Sequence, residues 1–195
     1  MTHVYRTTAA SAVLLVAVFG VTGCGSDNSP STPPSASAAA SFNDADATFA
    51  LQMIPHHQQA VEMSDLALRK ATNAGVKNLA TAIKTAQGPE IKQLSGWLTT
   101  WGKPVPTPGT HSGHAMGGMM STEEMSDLSE ASGAMFDRMW TQMMIKHHQG
   151  AVAMAATEQT TGKDPAAIAL AKKIQTAQTT EIATMTQLLG QLPAS

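Results

Sequence analysis

Apolar residues recur along one face of four predicted helices, and in each helix the apolar stripe is interrupted near its middle by polar residues. At about 100° per residue, Phe49, Met53, His56, His57, Ala60, Met63 and Ala67 fall on a single face, with Glu62 opposite. Trp140, Met144, His147, His148, Ala151 and Met154 repeat the arrangement. The same projection groups Leu79, Ile83, Gln87, Glu90, Leu94 and Trp97, and later Leu170, Ile174, Gln178, Glu181, Met185 and Leu188. No alternating strand pattern competes. Capping and breaking residues then bound the elements. Asp44 or Asp46 caps a first helix that runs toward Asn73-Ala74-Gly75, and a second runs from about Val76 to Trp101 and stops at Gly102-Lys103-Pro104. A third starts near Ala134 and turns at Gly162-Lys163-Asp164-Pro165, and the last reaches about Gly190. Ser121-x-x-Glu124 is a capping-box pattern that opens a short additional helix.

The pattern is a repeat. An offset of 91 residues lays His147 on His56 and, without a gap, "IQTAQTTEI" (Ile174 to Ile182) on "IKTAQGPEI" (Ile83 to Ile91). The expected fold is therefore all-α, a four-helix bundle made of two duplicated antiparallel hairpins. The helical domain spans 43–195: one unit at 43–104, a Pro- and Gly-rich linker at 105–121, and a second unit at 122–195.

The first 42 residues lie outside that scheme. "MTHVYRTTAASAVLLVAVFGVTGC" has a basic residue, an apolar run and small residues before a cysteine, the organisation of a secretion signal over 1–23. Val21-Thr22-Gly23-Cys24 resembles a lipobox, in which Cys24 is acylated. The Ser, Pro and Ala residues that follow, to position 42, cannot bury enough surface to fold and serve as a tether. A lipid-anchored protein on the extracytoplasmic face of the cell membrane is expected.

Composition narrows the chemistry. A net charge of −2 with few aromatic residues excludes a basic nucleic-acid binder. The single cysteine, once acylated, leaves no thiolate ligand or nucleophile, so a metal must be held by His, Met and carboxylate. The candidates are His56, His57, His147 and His148 with Met53, Met63, Met144 and Met154. Thioether sulfur beside imidazole suits copper, especially Cu(I), and suits Mg, Ca or Mn poorly. Glu90 and Glu181 need partners if buried, and the facing histidines can supply them. That pairing alone would also serve a metal-free scaffold with structural histidines. Met135, Met139 and Met143 approach His147 at steps of four, and the linker adds His111, His114, Met116, Met119 and Met120. Zinc on His56, His57 and Glu90 is an alternative. A di-iron centre is short of carboxylates, because Met53 and Met144 stand where Glu-x-x-His would need Glu. No nucleophile motif accompanies the histidines, so a carrier needing no turnover fits better than an enzyme, with a metal-dependent redox enzyme as the competing class.

"MIPHHQQAVEM", "IKTAQGPEI", "SGAMFDRMWTQMMIKHHQGAVAM" and "IQTAQTTEI" resemble the bacterial domain of unknown function 305 family, whose architecture is ferritin-like and which includes periplasmic copper-binding proteins. The resemblance covers nearly everything from Asn43 onward. It implies an extracytoplasmic helical bundle that binds copper in buffering, tolerance or delivery, with a copper-donating or copper-accepting protein as partner. It places the His-His motif on His56, His57, His147 and His148, the motif methionines on Met53, Met63, Met144 and Met154, and the Gln-x-x-Glu pairs on Gln87, Glu90, Gln178 and Glu181. Leu94 departs from the repeat, since the second copy has Met185.

Overall fold

Residues 41–107 and 117–193 are described by the computed structural model, and among them the regular structure is helix alone. The elements are α1 (Asp44–Lys70), α2 (Ala74–Thr100), α3 (Thr122–Glu130), α4 (Gly133–Thr161) and α5 (Pro165–Gln191). The signal segment, Cys24 and most of the tether lie outside the described residues, as do His111, His114 and Met116.

Two boundaries differ from expectation because asparagine takes the cap. Asn43, not Asp44 or Asp46, opens α1: its side chain accepts from the amides of Ala45 and Asp46, and Asp46 accepts from the Asn43 amide in return. Asn73, read as a breaker, caps α2, so Ala74 and Gly75 are helical. The other signals act as expected. Gly102 ends α2 at φ +66, Ser121 and Glu124 form the capping box of α3, and Asp164 with Pro165 starts α5.

α1 packs on α2, α4 on α5, and the two hairpins meet through α1 and α4, with α3 resting on α4. The Trp140 indole donates to the Met63 carbonyl at 2.9 Å, fixing the register of α1 against α4. The ends of this interface are tied by a reciprocal pair of buried aspartates. Asp46 on α1 accepts from the amides of Lys163 and Asp164 in the α4–α5 turn, at 2.9–3.1 Å. Asp137 on α4 accepts from the amides of Thr72 and Asn73 and from the Thr72 hydroxyl in the α1–α2 turn, at 2.5–3.2 Å. Donors and acceptors alike are 91 residues apart. Each carboxylate satisfies amides that a helix terminus leaves without a partner.

The last residues of the linker, 117–120, lie across this interface. Gly117 and Gly118 lie on the backbone of α4, where a Cβ on Gly150 would collide with the Gly117 carbonyl, and Gly118 has φ +85. Met120 is buried, and the Gln59 amide brackets its backbone with two hydrogen bonds of 2.8 Å. Most of the predicted stripe residues are buried. Met154 is only half-buried, and Met135, expected on the inward methionine series, is 54% exposed because it falls on the outer side of α4.

Candidate metal centre

All four paired histidines are fully buried and converge on one layer where α1 crosses α4. The His56 and His147 rings lie 3.8 Å apart between centroids at a 41° tilt, and His148 lies 6.3 Å from His147. The rings of His56 and His147 thus meet at the junction of the two hairpins. Apolar clusters close the layer on both sides. One contains Met53, Phe49, Ile54, Leu94 and Ile174, and the other Met63, Met120, Met144 and Met185.

The outer ring nitrogens are held by the glutamates of the partner helices. His57 Nε2 lies 3.0 Å from Glu90 and His148 Nε2 lies 2.7 Å from Glu181. A neutral imidazole facing a carboxylate must donate, which puts the proton on Nε2 and leaves a lone pair on Nδ1. Those two Nδ1 atoms, and both nitrogens of His56 and of His147, are buried with no hydrogen-bond partner among the described residues. Both polar atoms of the Gln87 amide and Oε1 of Gln178 share that state. Native interiors rarely leave so many polar atoms unmatched in one place.

Burial holds three of the four imidazoles unprotonated. It drives the His56 pKa down to about 3, helped by His57 and His148 and opposed by the Gly117 backbone, and drives His147 well below the usual imidazole value. His57 is also lowered by burial, against the pull of Glu90. Burial pushes Glu90 up, but the His57 hydrogen bond and Lys173 outweigh it and leave its carboxyl below the ordinary value. At neutral pH, His56, His57 and His147 therefore present unprotonated imidazole.

The methionines do not share one level. Met53 and Met144 precede the pairs by three residues, about 4.5 Å along the axis, whereas Met63 and Met154 follow by six, about 9 Å. Met154 lines an open groove with Phe49 and Glu158. Met143 is partly buried against the cluster that holds Met144 and Met185, and Met119 is half-buried. Among the described residues no three His, Cys, Asp or Glu side chains form a ready metal cage. The zinc set of His56, His57 and Glu90 is disfavoured because both Glu90 oxygens are engaged, one by His57 and one by Lys173 Nζ at 3.4 Å. What fits the residues present is a soft ion of low coordination number, taking imidazole nitrogen with thioether from Met53 or Met144.

Lys173, the Asp46–Glu158 carboxyl pair and the Gln59 clamp escaped the sequence reading. Comparing positions 91 apart exposes them: Lys173 aligns with Ala82, Glu158 with Ala67, and Gln59 with Gly150.

None of the curated proteins matches the chain. Solved structures do. A protein of the DUF305 family from Streptomyces coelicolor is 34% identical with a TM-score of 0.69, covering 75% of this chain and 93% of its own. A fragment from Deinococcus radiodurans is 32% identical with a TM-score of 0.70, covering 77% and 98%. CopM in its Cu(II)-bound form is 37% identical with a TM-score of 0.66, covering 75% and 96%, and CopM has also been solved with Cu(I) and with silver. The family described as a domain of unknown function, DUF305, matches residues 46–189, and the chain belongs to it.

Proposed function

We propose that this protein binds copper, as Cu(I), in the buried histidine layer and acts as an extracytoplasmic carrier that buffers the ion or hands it to another protein. The observation that carries the reading is the His57–Glu90 and His148–Glu181 dyads. Each carboxylate accepts a hydrogen bond from the Nε2–H and leaves a buried, unpaired Nδ1 lone pair, which is how metal-binding histidines are commonly oriented. His56 and His147 add the inner nitrogens, and Met53 and Met144 are the nearest sulfur donors. Met63, Met154, Met143 and Met185 extend the thioether surface on either side, while Gln87 and Gln178 line it. The likeness to CopM, solved with copper and with silver, supports the choice of ion, and the candidate secreted protein among the family structures supports the location. The lipid anchor at Cys24, a ferritin-like bundle arising by duplication, and weaker extra capacity in the linker at His111, His114, Met116, Met119 and Met120 complete the proposal from the sequence.

The test separates a site from a packing device. Replacing His56, His57, His147 and His148 together with Gln should abolish tight Cu(I) binding in a competition titration. The apo domain should stay helical, because Gln can still hydrogen-bond Glu90 and Glu181. The unsubstituted domain should melt higher with Cu(I), since a ligand bound only by the folded state stabilises it. A melting temperature indifferent to Cu(I), together with a four-Gln variant that fails to fold, would leave the histidines as scaffold.

A further inference from the structure

The two His–Glu dyads are identical in sequence type and unequal in setting. Glu90 is 7% exposed in its side chain and is capped by Lys173 from α5 at 3.4 Å. Glu181 is 21% exposed, and among the described residues no cation pairs with it. The reason lies in one position. The residue that would cap Glu181 is Ala82, the counterpart of Lys173 at the 91-residue offset, and its methyl group reaches nothing charged. Ala82 instead lines an open groove of about 410 Å³ between α2 and α5, with Leu79, Thr184 and Leu188. Thr184, on the wall of that groove, stands one helical turn from Glu181.

From this asymmetry we infer that Glu181 is the port through which a cation reaches the buried layer, and that Lys173 keeps the Glu90 side closed. The inference rests on the copper reading above and adds a direction of access to it. A cation approaching the Glu90 side meets the ammonium group of Lys173 first and a carboxylate already paired with it and hydrogen-bonded by His57. On the other side it meets an accessible carboxylate with His148 directly behind it. Glu181 attracts the ion, and the exchange of its bond to His148 Nε2 opens the way inward; no bond is made or broken covalently and no electron moves. The four histidines are the destination in either case, so the two glutamates should differ in the rate of loading and not in the final occupancy.

The measurement is the rate of Cu(I) uptake by the full folded domain under anaerobic conditions, followed by rapid mixing, with equilibrium capacity measured in parallel. Glu181→Gln should slow uptake by tenfold or more, while Glu90→Gln should change it by less than about twofold. Any loss of equilibrium stoichiometry should be alike in the two, because each glutamate orients one histidine of the layer. Ala82→Lys, which alters no residue of the layer, should slow uptake as Glu181→Gln does. The same charge added at exposed Ala169, on the Lys173 side, should not. Lys173→Ala should accelerate uptake by opening a second route. Equal slowing in the two Gln variants, or Ala82→Lys behaving like Ala169→Lys, overturns the port. A wild-type domain that takes up no Cu(I) at all overturns the copper reading instead.

Discussion

The half of the bundle built on α1 and α2 and the half built on α4 and α5 share a sequence pattern but are finished differently. Where the halves agree, the structure uses the agreement for assembly: Asp46 and Asp137 each hold the other half's turn, and each histidine pair has its glutamate. Where they disagree, one copy has acquired something the other lacks. Glu158 stands against Asp46 where Ala67 faces the corresponding space, Gln59 clamps the returning linker where Gly150 makes room for it, and Lys173 caps Glu90 where Ala82 leaves Glu181 open. Pro55 and Pro89 precede His56 and Glu90 inside α1 and α2, whereas Lys146 and Thr180 occupy those positions in α4 and α5. The shared positions are those both halves use to pack, and the departures mark where the two halves make different contacts.

The sharpest way to break the equivalence is at the aspartates. Asp137→Ala leaves the amides of Thr72 and Asn73 and the Thr72 hydroxyl without their carboxylate in a part-buried turn and should cost about 2–3 kcal/mol in chemical denaturation. Asp46→Ala strands three amides, those of Asn43, Lys163 and Asp164, but removes the anion beside Glu158, so its cost should be clearly smaller. Equal losses would mean that Glu158 exerts no strain on its end of the bundle.

A pH series sharpens the same contrast. Burial, with the hydrogen bond and charge of Asp46, pushes the Glu158 pKa up to about 8, from an ordinary value of 4.5. Between those limits the unfolded chain ionises this group and the folded chain does not, so stability should fall as pH rises from about 4.5 through about 8 and level off above. Asp46 acts oppositely: burial raises its pKa, but its hydrogen bonds with Asn43, Glu158, Asp164 and Lys163 lower it on balance. It therefore contributes stability above about 4 that is lost in acid. Glu158→Gln should flatten the alkaline fall in melting temperature and leave the acid limb in place. A wild-type melting temperature flat from pH 5 to 9 would count against the raised Glu158 value.

The smallest expected effect is at the linker crossing. Gln59→Ala removes two hydrogen bonds to the Met120 backbone and should cost about 1–2 kcal/mol, read as a lower denaturation midpoint and faster amide exchange at Met120. Gly150→Ala, normally favourable in a helix by up to about 1 kcal/mol, should be destabilising because the new Cβ meets the Gly117 carbonyl. A gain in stability there would show that the crossing yields freely.

The sequence by itself determined the four long helices, their faces and their approximate ends, because a period of 3.6 residues and strong caps are local properties that need no tertiary information. It also determined the partners of the costly groups: Glu90 and Glu181 sit amid apolar stripes, and histidine on the facing helices was the available answer. The caps at Asn43 and Asn73 were misplaced by one or a few residues, since Asn, Asp and a following Gly are all plausible at a helix start until the backbone selects one. Tertiary structure alone decided that the four histidines form a single layer, because whether α1 meets α4 or each hairpin closes on itself depends on the crossing of helices distant in sequence. It also decided that Met154 lies at an open groove and Met63 well below the rings, since a helical projection discards height along the axis. The inequality of Glu90 and Glu181 was decided there too: the exposure of a carboxylate depends on whether a lysine from another hairpin can reach it, and no stretch of either helix by itself contains that information.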